Sequence, residues 1–199
     1  MADASTLLDL LSAKAEPARL AESAVVIVDA QREYLDGRVP LSGIDEALVE
    51  IKKLLDRARK LEVPVFHVVH HSQAGAPIFD PEGPMSEIID AVKPQGKEPV
   101  VKKNLPSAFV NTDLEKMLKD SGRKEVVVAG FMTHMCINAT TRSAVDLGFQ
   151  PTIIGSACAT RDLPSPDGSV VLARTVHQTN LASLADLLAC VCQSVDELQ

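Results

Sequence analysis

The sequence predicts an α/β protein: one domain in three layers, with helices on both faces of a six-stranded parallel sheet. Three observations predict it. Six short runs rich in β-branched residues recur along the 199 residues. Those runs are mostly apolar on both faces, as strands are when helices cover both sides of a sheet. Helical patterns separate most of them, so strand and helix alternate in the order that a parallel sheet requires.

The opening, "MADASTLLDLLSAKAEPARL", has leucines at near-helical spacing and reads as an amphipathic helix over 1–22 that packs on the domain. Asp3 and Asp9 break the basic start and the uninterrupted apolar centre of an export signal, so the cytoplasm is the expected compartment. The strands follow as "AVVIVDA" (24–30), "VPVFHVV" (63–69), "EPVVKK" (98–103), "KEVVVAG" (124–130), "QPTIIGS" (150–156) and "LACVCQ" (188–193). After the first strand, "GIDEALVEIKKLLDRARKLE" places Ile44, Leu48, Ile51, Leu54 and Leu55 on one helical face. "NTDLEKMLKDSG" offers Asn and Thr as caps and stops at Gly122, and "CINATTRSAVDLGF" stops in the same way at Gly148. "DGSVVLARTVHQ" reads as the last helix. The one long irregular segment, 71–98, is dense in Gly and Pro, and loops of that length in a compact domain often serve as lids or pocket walls.

Composition narrows the partners. The chain is 46% apolar and 24% charged, ordinary for a soluble globular domain, with a net charge of −7. That charge, with no long basic run, argues against nucleic acid and anionic membranes. No apolar run approaches the roughly 20 residues of a membrane span. The cysteines are Cys136, Cys158, Cys190 and Cys192, and disulfides are not expected in a reducing cytosol. The "CVC" pair at 190–192 lacks C-x-x-C spacing; alternation in a strand puts both thiols on one face, as buried packing. "VDAQREYLDG" contains no G-x-G-x-x-G, so a flavodoxin-like or dinucleotide-binding reading lacks its phosphate loop.

Ligands of open α/β sheets bind beyond the carboxyl ends of the strands. The first strand ends in Asp29, the third in Lys103, and the fourth runs through "GFMTHMC" to Cys136 at the head of a helix. A carboxylate, an ammonium and a thiol are therefore expected on one rim. A helix N-terminus or a nearby cation lowers a thiol's pKa, a carboxylate can take its proton, and turn amides can hold an oxyanion. Each residue also has a plainer reading: Asp29 as a turn former, Lys103 as a solvated lysine, Cys136 as a packed thiol.

The set "VDAQREY", "KNLPSAF" and "GFMTHMC", supported by "NTDLEKML", "TTRSAVDLGF" and "SACATRDL", resembles the isochorismatase-like cysteine hydrolase superfamily over nearly the whole domain. That superfamily includes nicotinamidases and N-carbamoyl amidohydrolases. The resemblance implies a Rossmann-like strand order, an Asp29–Lys103–Cys136 triad, a cis Phe131–Met132 peptide, and oxyanion donors in the amides of Met132 and Cys136. It implies hydrolysis of a small amide, carbamoyl or imide C–N bond through a thioester. The family's strand order puts the third strand at the sheet edge, roughly 9–10 Å from the first, so Lys103 has to reach inward.

Departures from the family narrow the substrate. Nicotinamidases carry an Asp-x-His metal site, whereas this chain reads "FHVVHHSQAGAPIFD". Two adjacent histidines without a carboxylate make a poor zinc site, so no metal and no other cofactor is expected. His67 is read as a core or sheet-face residue, while His70 and His71 at the strand end join Gln31, Tyr34 and His134 as candidate pocket residues. For His134, substrate contact and simple capping weigh equally. Vinyl ether hydrolysis of the isochorismatase kind and a non-catalytic binding protein keeping the fold are the alternatives. The family resemblance also implies a homo-oligomer, a dimer or tetramer, acting on a small molecule.

Overall fold

A computed structural model describes residues 4–199, and it places one six-stranded sheet between two apolar cores. The strands are β1 (Ser23–Val28), β2 (Val65–His70), β3 (Val100–Lys103), β4 (Glu125–Phe131), β5 (Gln150–Ala159) and β8 (Cys190–Cys192). All pairings are parallel, in the order β3-β2-β1-β4-β5-β8. The order reverses between β1 and β4, which makes the gap beyond their carboxyl ends the natural ligand crevice.

Two layers of side chains fix this arrangement. In β1, Val25 and Ile27 face the core shared with α2 (Ile44–Lys60), and Ala24, Val26 and Val28 face the opposite one. The second core is closed by α3 (Leu114–Asp120), by α4 (Asn138–Asp146) and by Leu181 and Leu184 of α5 (Ala173–Ala185). Helix α2 buries Ile44, Leu48, Ile51, Leu54 and Leu55, the face that its spacing predicts.

Three expectations are corrected. The N-terminal helix over 1–22 shrinks to α1 (Leu7–Leu10) and a 3₁₀ turn at Leu20–Glu22; residues 1–3 lie outside the described part. Leu7, Leu10 and Leu11 are exposed and only Leu8 is half-buried, with the Leu7 and Leu8 N–H groups on Asp186, and Ser12 with φ +53° ends the helix at once. The last helix begins at Ala173, because 163–171 instead form a hairpin of β6 (Leu163–Pro164) and β7 (Val170–Val171) whose turn is held by Asp167 and Gly168. The helix after β4 starts before its cysteine: a π-helical turn, Thr133–Ile137, runs directly into α4.

Candidate active site

The rim at the strand ends is built by three local features. Asp29 follows β1 in the left-handed region, φ +51°, which Asp tolerates better than most residues, and its N–H is held by the Val68 carbonyl at 2.8 Å. Gly130, at a register shift between β4 and β5, has φ +122°, and any Cβ there would collide with the Val28 backbone. The next peptide, Phe131–Met132, is cis and leads into the π turn that carries Cys136. Such turns concentrate at functional sites.

From the sheet edge, Lys103 extends past the end of β2 toward β1. Its Nζ lies 2.7 Å from Asp29 Oδ2, 3.3 Å from Cys136 Sγ and 3.3 Å from His70 Nδ1. Thiol, ammonium and carboxylate thus meet although their strands are not all neighbours. Asp29 is fully buried, with Lys103 and Cys136 only 3% and 5% exposed. Neither Asp29 oxygen completes an aligned hydrogen bond among the described residues. A buried carboxylate in that state retains acceptor capacity, and such groups call for a functional explanation.

The electrostatics depart from the sequence reading. Burial pushes the Cys136 thiol up to about 12, and the neighbouring Asp29 charge adds to it, against the pull of Lys103. Because Cys136 sits inside the first turn and under cover, the expected lowering by a helix N-terminus is outweighed. Burial likewise raises Asp29 above the usual carboxylate range, with Lys103 opposing. The resting site therefore holds a protonated thiol beside an ion pair. Burial, then Lys103, drops His70 to about 4, so its ring is neutral at pH 7.

The candidate pocket residues divide. Gln31 is fully buried and acts as a brace: its amide donates to the His70 and Ser86 carbonyls at 2.9 and 2.8 Å and accepts from the His70 N–H. Both of its amide hydrogens are engaged, so it holds the His70 and Ser86 backbones together at the rim. Tyr34 packs edge-on between Phe79 and Phe131, close enough to Asp29 and Cys136 that both raise its pKa after burial has done so. Its hydroxyl makes no hydrogen bond among the described residues. His71 lies away from the triad, neighbouring Lys102, with its N–H on the Lys103 carbonyl. His134 hydrogen-bonds Thr160 Oγ1 at 2.6 Å and so braces the turn. The Met132 N–H has no acceptor among the described residues. Among the described residues no group of three or more His, Cys, Asp or Glu is arranged to hold a metal ion.

Arg161 was missed at the level of sequence. It follows β5, lies close enough to Tyr34 and His134 to shift both, and donates through Nη1 to the Asp162 carbonyl at 3.1 Å. Its Nε is buried without a partner, and it forms no ion pair among the described residues. Strand β5 runs to Ala159, beyond the Ser156 end that the sequence suggests, so no strand-end rule picks out Arg161 from the sequence.

Comparison with known proteins identifies the family. The family model for the isochorismatase domain matches residues 23–194. A secreted isochorismatase effector, Isc1, of Verticillium dahliae is 33% identical over 96% of this chain and 98% of its own length. A streptothricin hydrolase of Streptomyces noursei is 32% identical over 73% of this chain and 57% of its own. The crystal structure of an isochorismatase from Pseudomonas putida superposes with a TM-score of 0.93 and 40% identity, covering 99% of this chain and all of that one. No helix among the described residues is long and apolar enough to cross a membrane. With the family model spanning most of the chain and the fold shared with its solved members, the protein belongs to the isochorismatase family of hydrolases.

Proposed function

We propose that the protein hydrolyses a small amide, carbamoyl or imide C–N bond through a Cys136 thioester, without a metal. One observation carries the reading: Lys103 Nζ stands 2.7 Å from the Asp29 carboxylate and 3.3 Å from the Cys136 thiol in a site closed to bulk water. A streptothricin hydrolase among the relatives supports it.

Asp29 takes the thiol proton as Cys136 Sγ attacks the substrate carbonyl, so the sulfur never stands as a free thiolate in the resting enzyme. The amides of Met132 and Cys136 hold the oxyanion. The tetrahedral species collapses, the C–N bond breaks, and Asp29 passes the same proton to the departing amine. A water then enters, gives its proton to Asp29 and attacks the thioester, and the released sulfur takes that proton back. Lys103 Nζ, in reach of both Asp29 and Cys136, faces the negative charge wherever it resides.

Substrate choice rests on two groups with spare donors among the described residues, the Tyr34 hydroxyl and the Arg161 guanidinium, which has no carboxylate partner there. An unpaired guanidinium matches a carboxylate, so substrates that carry an anionic group beyond the scissile bond are favoured. Leu35, Leu105, Val110, Met135, Val170 and Leu172 are exposed in segments at this same end of the sheet, a surface suited to a second copy in a homo-oligomer. Incubation with N-carbamoyl amino acids, neutral amides and cyclic imides, with ammonia or amine release as the readout, tests the activity. Rapid quenching and mass spectrometry should find the acyl adduct on Cys136, and Cys136→Ala should release nothing. Turnover that survives Cys136→Ala sinks the thioester reading.

A further inference from the structure

Outside this site, three thiols remain unused by the proposed chemistry, and two of them share one short strand. Cys190 and Cys192 are the ends of β8, and alternation along the strand puts both side chains on the same face. Strand β8 is the sheet edge, paired only with β5 through Thr152↔Cys190, Ile153↔Val191 and Ile154↔Cys192. Cys192 is buried, whereas Cys190 is half-buried and lines a cavity of about 820 Å³. That cavity lies between the N-terminal arm, including Lys14, Pro17 and Arg19, and the entry to β5. It is at the opposite end of the sheet from Asp29, Lys103 and Cys136, which occupy strand exits.

We propose that Cys190 and Cys192 form a peroxide-responsive dithiol that closes reversibly to an intrastrand disulfide. Cys190 meets the oxidant, because it alone of the pair faces the cavity. Its sulfur attacks the O–O bond of hydrogen peroxide, becoming a sulfenic acid as one water leaves. Cys192 sulfur then attacks that sulfenic sulfur: the S–S bond forms, the S–O bond breaks, and a second water departs with the remaining proton. The two thiols lose two electrons and the peroxide gains them. Exposure orders the two roles in this way, and the shifts agree with it: the neighbouring Cys192 thiol lowers the Cys190 pKa, while Cys192 itself is raised.

The geometry permits closure at the edge and not in the interior of the sheet. Residues two apart in a strand are about 6.6 Å apart at Cα, near the long end of the span that disulfides bridge. Closure therefore needs a local twist, and a three-residue edge strand bonded on one side only can supply it. The other buried thiol away from the triad, Cys158, has no thiol neighbour on its strand and serves as an internal control.

The full-length protein is exposed to graded hydrogen peroxide, denatured, alkylated and cut with trypsin. Cleavage after Arg174 yields a peptide, 175–199, that holds Cys190 and Cys192 and no other cysteine. The expected result is joint loss of both alkylation sites from that peptide, restored by dithiothreitol, under exposure that leaves Cys158 alkylated. Cys192→Ser should leave Cys190 as a sulfenic acid trapped by dimedone, and Cys190→Ser should leave Cys192 reduced. If both thiols still alkylate, if Cys190 runs on to higher acids with Cys192 free, or if non-reducing gels show the bond between chains, the proposal is overturned. The outcome does not depend on the hydrolase reading.

Discussion

At the scale of single residues, Asp29 has two opposed effects on Cys136, and one substitution separates them. As a base it takes the thiol proton; as a charge it raises the thiol's pKa. Asp29→Asn removes both, leaving Lys103 beside the sulfur. The expected outcome is faster alkylation of Cys136 by iodoacetamide at neutral pH, with an apparent pKa below about 12, together with loss of turnover. Slower alkylation would mean that Asp29 activates the resting thiol and that the protonated-thiol ground state is wrong. Arg161 makes a separable prediction. Arg161→Gln should raise KM for anionic amides about tenfold to hundredfold, the value of one charge-assisted contact of roughly 1.5–3 kcal/mol. KM for neutral amides should stay put, and Arg161→Lys should recover only part, because an ammonium lacks the two-pronged geometry.

Among the elements, the β4 exit depends most on a single backbone. Gly130→Ala combines a left-handed φ of +122° with a collision against Val28. Strain of about 1–3 kcal/mol and overpacking of similar size then add. A loss of about 2 kcal/mol or more in denaturant unfolding is expected, and with it the activity, since the turn bearing Cys136 starts three residues later, at Thr133. The elements also show how far the sequence could be read. The central strands were legible because Val25 to Val28 and their counterparts in β4 are apolar on both faces, whereas the edge strand β3 alternates exposed and buried residues and was marked by its β-branched pair before the lysines. The N-terminal helix was misread because spacing records a potential face and not whether anything faces it; Leu10 and Leu11 meet only solvent. The β6–β7 hairpin escaped notice because two-residue strands are too short for periodicity to register. The rim was legible at Asp29, Lys103 and Cys136 because polar residues there interrupt apolar runs. Their contact was not, since it depends on the Lys103 side chain passing His70. Arg161 lies two residues beyond β5, a strand that runs three residues past the end its sequence pattern suggests.

Over the whole molecule, buried titrating groups set a pH window for stability. His70 is neutral in the fold down to about 4, against 6.5 when free, so the unfolded chain binds more protons below 6.5 and stability falls as pH drops toward 4. His67, buried against Glu98 at 2.9 Å, shifts in the same direction. Burial pushes Glu98 up, but its two bonds from Arg59, the Gln95 N–H and His67 outweigh that and leave it at about 2. Its contribution is intact above 4.5 and is lost as pH falls toward 2. On the alkaline side Cys136 and Cys158 keep their protons to about 12 in the fold, against 9.0 when free, so stability falls as pH rises from 9. Thermal midpoints should therefore form a plateau between about pH 6.5 and 9 and fall on both sides. A midpoint still rising below pH 6 would contradict it.

The sealed ion pair carries one further consequence. In the proposed cycle a single proton moves from sulfur to carboxylate to amine and is replaced by one from water, so the formal charge of Asp29, Lys103 and Cys136 together, with the reacting atoms, never changes. Mobile ions, whose screening acts over about 8–10 Å near physiological ionic strength, have no changing charge to answer inside the site. Turnover should thus be indifferent to added salt at saturating substrate, while salt weakens the capture of anionic substrates at Arg161. Replacing the solvent with D₂O should slow kcat, because the travelling proton then comes from deuterated thiol and water. An enzyme whose kcat responds to salt and ignores the isotope would be running its chemistry in the open.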